Sequence, residues 1–127
     1  MAISKFRSRR KTSGGRYKEF RKKRLSDLGR TQTFSKIGAT RKSEFRIKAG
    51  KNKRIILSTN IANVYVPKEK KYKKAKIETV IDNPANRNYI RRNILTKGTI
   101  IKTELGNAKI TNRPGQEAQI NAVLVSQ

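Results

Sequence analysis

The chain has no cysteine, no histidine and no tryptophan among its 127 residues. Without cysteine and histidine there is no disulfide, no zinc finger, no thiol or imidazole nucleophile and no histidine acid–base chemistry. Acidic residues are scarce and scattered, eight in all. A nuclease or phosphotransferase would gather carboxylates around magnesium. Here Glu78 and Asp82 are the one pair within a single strand segment, and lysines around them make surface ion pairing the better reading than catalysis. Gly14-Gly15 is not followed by Gly-Lys-Ser/Thr and follows no strand, so it reads as a turn and not as a phosphate loop. Uninterrupted aliphatic runs are of the kind Ile55-Ile56-Leu57 and Val123-Leu124-Val125, far short of a membrane span. No basic amphipathic helix with a wide apolar face is visible, as a membrane-surface protein would need. Met1-Ala2-Ile3-Ser4-Lys5-Phe6 leads into no apolar secretory segment, which leaves the cytoplasm as the expected compartment. These absences argue against an enzyme, a cofactor, a small-molecule substrate and a membrane partner.

What the chain does have is positive charge. Lysine and arginine number 33 against 8 acids, a formal net charge of +25. Such a chain repels itself unless counter-charge lies close by. Nucleic acid supplies that counter-charge most densely, one unit per phosphate. Charge and apolar residues are unevenly spread. Of the 14 isoleucines and 5 valines, only Ile3 and Ile37 precede Glu44. The same 43 residues hold 15 lysines and arginines against Glu19 and Asp27, a net of +13. Residues 1–43 are therefore expected to be a basic tail without a core of its own, and residues 44–127 a small β domain.

In the tail, Arg7, Arg9, Arg10 and Lys11 form one cluster, and Arg21, Lys22, Lys23 and Arg24 a second. Arg16 and Lys18 lie between them; Arg30, Lys36, Arg41 and Lys42 follow. All are candidate phosphate contacts. Ser13-Gly14-Gly15 makes the backbone between the clusters flexible or sharply turned. Phe6, Tyr17, Phe20 and Phe34 sit in this core-poor segment, and rings among cations suit stacking on unpaired bases. The plainer reading is a solvated basic run. A short helix from Tyr17 to Leu28, closed by Gly29, is conceivable, although Tyr17, Phe20, Leu25 and Leu28 are irregularly spaced.

From Glu44 onward the period is two. Phe45, Ile47 and Ala49 alternate with Arg46 and Lys48. Further strands are expected at 54–58, 61–66 and 75–82, with Ile77, Thr79 and Ile81 on one face of the last. Asn83-Pro84-Ala85-Asn86 is a turn signal. Tyr89 to Leu95 is ambiguous between strand and short helix, and its β-branched residues favour strand. Residues 99–104 and 108–111 should form a hairpin across Leu105-Gly106-Asn107, and residues 119–126 a closing strand bearing Ile120 toward the core. The lysine-rich stretch 67–74 reads as a loop, either a second RNA contact or a solvated turn. The whole is an all-β fold, a small barrel of about six to eight short strands with a long, largely extended basic tail. Its own RNA-contact candidates are Lys51, Lys53, Arg91, Arg92 and Arg113.

Several motifs in order resemble one known family. Arg9-Arg10-Lys11-Thr12-Ser13-Gly14-Gly15, Lys22-Lys23-Arg24-Leu25-Ser26-Asp27-Leu28-Gly29-Arg30 and Lys36-Ile37-Gly38 are similar to the N-terminal signature of the S8e small-subunit ribosomal proteins of eukaryotes and archaea. Asn83-Pro84-Ala85-Asn86-Arg87, Arg91-Arg92-Asn93, Thr96-Lys97-Gly98 and Thr111-Asn112-Arg113-Pro114-Gly115-Gln116 are similar to its barrel segments. The eukaryotic insertion and C-terminal extension are missing, so the resemblance is to an archaeal-type member. The chain departs from the family where Gly-Gly-Asn becomes Gly50-Lys51-Asn52 and where Asp-x-Gly-Asn becomes Asn60-Ile61-Ala62-Asn63. The resemblance implies a β-barrel whose basic tail threads through 16S-type ribosomal RNA. It implies a structural constituent of the small subunit that binds and stabilises that RNA in the cytoplasm, beside neighbouring small-subunit proteins. An architectural protein coating duplex DNA is the competing reading, because phosphate neutralisation looks alike from the protein side.

Overall fold

Alternating aliphatic and polar residues favour a sheet with one face buried, and short segments of this kind must close on each other to bury that face. A computed structural model describes residues 7–125 of the chain. It divides into two units, Met1–Gln32 and Thr33–Gln127. The second unit carries the strands: β1 (Ser35–Lys36), β2 (Arg41–Arg46), β3 (Asn52–Ser58), β4 (Ile61–Val66), β5 (Lys71–Asp82), β6 (Ile94–Leu95), β7 (Ile100–Thr103), β8 (Gly106–Ile110) and β9 (Asn121–Leu124). One helical turn, α1 (Asn88–Arg91), lies between β5 and β6.

Strands β4, β5, β7, β8 and β9 close a barrel in that order. The β4–β9 seam is parallel and the other ladders are antiparallel. Closure leaves no open edge in this sheet. The interior mixes small and large residues: Ala62 and Val64 from β4, Ala75, Ile77 and Val80 from β5, Ile101 from β7, Ala108 and Ile110 from β8, Ala122 from β9. A five-stranded barrel is narrow, and alanines opposite isoleucines fill it without overpacking. The remaining strands form a second sheet in the order β2-β3-β1-β6, and its Ile56 and Leu95 join the same apolar cluster. Each fully buried Ile or Leu contributes about 1.5–3 kcal/mol.

Buried polar groups are placed where their bonds can be made. Asn83 donates from Nδ2 to the Ile94 carbonyl (3.2 Å), and its Oδ1 accepts from the Ala85 N–H and the Thr96 hydroxyl (both 3.0 Å). This one side chain fixes the turn expected at residues 83–86. Ser35 is fully buried and donates to the Ile56 carbonyl at 2.8 Å. No buried side-chain polar atom among the described residues lacks a partner. The expected hairpin is present with a tighter turn: β7 and β8 pair from Ile100↔Lys109 to Thr103↔Gly106, so the chain turns at Glu104-Leu105, and Gly106 and Asn107, expected in the turn, belong to β8.

Several local expectations give way. Ile81 does not face the core; it is 44% exposed, and Val80 takes the buried position at 6%. The register of β5 on β7 slips between Ile77 and Thr79 and again between Val80 and Asp82. Each slip inserts an extra residue, and a bulge reverses which side chains point inward. Tyr89 to Leu95 is not one strand. Its first part is α1, where the Asn86 side chain accepts the Asn88 N–H (2.9 Å) and Asn93, at φ 50°, ends the turn before β6. Only residues 67–70 of the lysine-rich stretch turn; Lys71 onward is strand. Ile47 and Ala49 do not extend β2, because Lys48–Gly50 is a 3-10 turn with Ala49 at φ 61°. Thr33 to Ser43, read from sequence as tail, belong to the β unit, held there by Ser35 and by the pairing of β1 with β3 and β6.

The bulges make a direct contrast testable. Ile120→Asp places a carboxylate at a site 1% exposed, at a cost of roughly 3–5 kcal/mol, comparable with the whole stability of a small domain. Ile81→Asp leaves its charge in water and should cost under about 1 kcal/mol. Thermal unfolding by circular dichroism should show the first protein unfolded and the second close to the parent. A strongly destabilised Ile81→Asp would contradict this register.

Candidate nucleic-acid interface

The N-terminal unit turns sharply at Lys11-Thr12-Ser13-Gly14-Gly15. The Gly14 N–H donates to the Lys11 carbonyl (3.0 Å), the Lys11 N–H to the Gly15 carbonyl (2.7 Å) and the Tyr17 N–H to the Arg9 carbonyl (3.0 Å). Gly14 has φ +85°, a conformation that glycine adopts without strain. Arg10 and Arg16 consequently lie opposite each other as an antiparallel bridge. The Arg10 guanidinium also donates to the Gly14 carbonyl at 2.9 Å. The turn thus gathers Arg9, Arg10 and Arg16 from separate stretches of sequence into one small region, an arrangement whose mutual repulsion favours a bound polyanion.

The Arg7 guanidinium sits 3.9 Å from the centroid of the Tyr17 ring, and the Lys11 ammonium 5.6 Å away. Both are cation–π distances. Phe20 is 73% exposed, with the Arg21 guanidinium 5.3 Å from its ring. Tyr17, Phe20, Arg7, Lys18, Lys22 and Lys23 line one cleft of about 320 Å³. Rings on the wall and cations around them are the chemistry that receives a base and its phosphate. Phe6 lies outside the described residues.

Asp27 organises the second cluster. Its carboxylate accepts two bonds from Arg21 (2.6 and 3.3 Å) and one from the Arg24 N–H (3.1 Å). The Arg21 bonds, and then the Arg24 N–H, hold its pKa below the ordinary 3.8. The result is a single 3-10 turn, Leu25–Asp27, in place of the helix considered for 17–28. A helix there would set Lys18 over Lys22 with no apolar face to bury in return, since Leu25 is exposed. Arg21 is a bidentate partner of Asp27, and Lys23 pairs with Glu19 at 3.2 Å. Lys22 and Arg24 lie beside them on the exposed surface.

In the β unit the other candidates spread over several elements. Lys36 is on β1, Arg41 and Lys42 on β2, Lys53 on β3, Arg91 on α1, and Arg92 directly after it. All but Lys53 are exposed, as are Lys51 and Arg113. Strand β2 ends its sheet, so Arg41 and Lys42 also guard an edge against pairing with another chain. Lys53 donates to the Gln116 side chain, which ties β3 to the loop after Arg113. In that loop Gly115 runs close to Thr33, and a Cβ there would lie 3.3 Å from the Thr33 carbonyl oxygen, a tight contact. Phe34 packs edge-on against Tyr89 (5.7 Å), with the Arg92 guanidinium 5.3 Å from its ring. Its ring is engaged by protein groups within this unit. Glu78 pairs with Lys102 at 3.1 Å, the surface role read for it from sequence. Among the described residues no three acidic side chains gather as a metal site, and no helix is long and apolar enough to cross a membrane.

The family model described as Ribosomal protein S8e matches residues 4–125. The chain belongs to the ribosomal protein S8e family. Among S8e relatives, the protein of Methanocella arvoryzae is 49% identical over 120 residues, 94% of this chain and 96% of its own. That of Methanococcus aeolicus is 45% identical over 128 residues, all of both chains. That of Picrophilus torridus is 45% identical over 125 residues, 98% of this chain and all of its own. Each is named small ribosomal subunit protein eS8. The archaeal type of S8e, expected from length and motifs, is what these relatives are.

The Asp27 clamp has a defined pH dependence. A carboxylate with a lowered pKa supports its turn above the ordinary value of 3.8, and that support is lost as the pH falls through the lowered value. An NMR titration of the Asp27 carboxyl should give a midpoint below 3.8, and Arg21→Ala should move it back toward 3.8. A midpoint at or above 3.8 in the parent would show that Arg21 does not hold the carboxylate.

Proposed function

We propose that this S8e-family chain is a structural constituent of the small ribosomal subunit that binds and stabilises 16S ribosomal RNA through its basic N-terminal unit and the loops of its barrel. It is not an enzyme, in keeping with its family. Its place of work is the ribosome in the cytoplasm, beside neighbouring small-subunit proteins.

The observation that carries the RNA reading is the balance of charge in the N-terminal unit. Residues 1–32 hold 12 lysines and arginines and only two acids, 12 − 2 = +10. Both acids are already paired, Glu19 with Lys23 and Asp27 with Arg21. The backbone nevertheless turns so that cations from the two sides of Gly14-Gly15 approach. A phosphate backbone relieves that repulsion by exchanging its counterions for the side chains. The aromatic residues in the cleft favour RNA with unpaired bases over duplex DNA, whose bases are stacked and paired. In division of labour, the N-terminal unit supplies affinity and the barrel a rigid platform.

Charge reversal separates the two roles. Arg9, Arg16, Lys22 and Arg24 are exposed and stand outside the ion pairs formed by Glu19 and Asp27. Changing all four to Glu should leave barrel unfolding unmoved, because exposed charges outside the core hold little together. Binding to small-subunit RNA should collapse. The slope of log affinity against log salt should shrink by ~0.7–0.9 for each phosphate that is no longer neutralised. The parent should prefer folded small-subunit RNA over duplex DNA in filter-binding competition and stay with small subunits in a sucrose gradient. Undiminished binding by the quadruple variant would refute the assignment to the N-terminal unit, and preference for duplex DNA would favour the architectural reading.

A further inference from the structure

The β4–β5 hairpin carries a feature outside the N-terminal surface. Its strands pair without a break from Ile61↔Lys76 to Val66↔Lys71, and residues 67–70 turn at the tip, with Lys70 at φ 52°. Along β4, Ala62, Val64 and Val66 point into the barrel, so Tyr65 points outward. Tyr72 is directly opposite Tyr65 and shares its outward face, as do Lys74 and Lys76 at the next alternate positions. The two tyrosine rings pack with centroids 5.0 Å apart, and Tyr72 remains 71% exposed. Tyr65 thus fixes the ring of Tyr72 while leaving most of it in water.

Lysines are dense along this hairpin. Lys68, Lys70, Lys71 and Lys74 are exposed and form none of the ion pairs of the described residues, whereas Glu69, the acid of the turn, is taken by Lys73 at 2.7 Å. Lys76 has Glu104 at 4.0 Å. A solvated turn would need lysines only. A large ring that is exposed, braced from below by a second ring and followed on the same face by a lysine outside the ion pairs is a stacking platform with a phosphate contact beside it. Bracing matters because a ring already held in place loses little freedom when a base stacks on it.

We propose that the outer face of the β4–β5 hairpin is a second RNA site, in which Tyr72 stacks on one unpaired base and Lys74 holds an adjoining phosphate. The inference rests on the RNA-binding reading of the chain and adds a contact borne by the barrel itself.

Tryptophan is absent from the chain, so Tyr72→Trp introduces a single fluorescent reporter into the full-length protein. Oligouridylate should quench it saturably, and added salt should reverse the quenching. A Leu105→Trp protein, with its reporter on the β7–β8 turn, should respond far less. In parallel, Tyr72→Ala/Lys74→Ala should weaken binding to small-subunit RNA roughly ten-fold, within the range for losing one stacked base, with barrel unfolding unchanged. If the parent binds RNA while the Tyr72→Trp reporter stays silent and the double variant binds as tightly, the hairpin site is refuted and the N-terminal assignment stands. Should the parent bind no RNA, both readings fall. Quenching by polyglutamate but not by oligouridylate would assign the hairpin to an acidic protein neighbour and overturn the RNA site. The reporter protein keeps the test decisive even if the double variant fails to fold.

Discussion

Like-charge repulsion is the constraint under which the rest of this structure is built. Eight carboxylates face 33 cations, and six of those carboxylates are engaged in ion pairs on the surface. Such exposed pairs contribute little stability each. Cohesion therefore comes from a charge-free interior: among the described residues every buried side chain is aliphatic, Pro114, or a hydrogen-bonded Ser, Thr or Asn. In residues 7–32, where no buried apolar residue is described, order rests on the turn at Gly14-Gly15 and on one carboxylate, Asp27, clamped by Arg21.

The same constraint links structure to function. The barrel's inward positions are apolar apart from Thr103, and its lysines and arginines are left on the surface, so the cationic surface follows from the pattern that makes the core. A surface of this kind is stable in isolation only against its own repulsion, and a polyanion turns that repulsion into affinity. The proposed binding to ribosomal RNA thus relies on the charge excess that strains the free protein.

The residues also differ in how tightly their geometry is fixed. In the β unit, Tyr72 is braced by Tyr65, and Phe34 is engaged by Tyr89 and Arg92. In the N-terminal unit, Phe20 is largely exposed beside a long, rotamer-rich arginine, while Tyr17 is covered on one side by Arg7. Rings in braced positions select geometry; rings in open positions adapt to it.

By itself, the sequence determined the class of fold, the segregation of charge and the family. Each of these is written in residue type and order: aliphatic alternation from Glu44 onward, glycines at 14 and 15 between basic clusters, and motifs in sequence such as Asn83-Pro84-Ala85-Asn86. Such signals are local, so they survive being read along a line. What only the tertiary structure decided depends on partners far away in the chain. The bulges of β5 against β7 brought Val80 inward and turned Ile81 out, since register is a property of two strands. Ser35 became core because Ile56 and Leu95 came to meet it, which moved the start of the β unit to Thr33. The pairing of Tyr65 with Tyr72 made a strand face out of what read as a lysine loop. Which of the many cations stand beside a ring or a carboxylate was settled in the same way, by chain segments that only folding brings together.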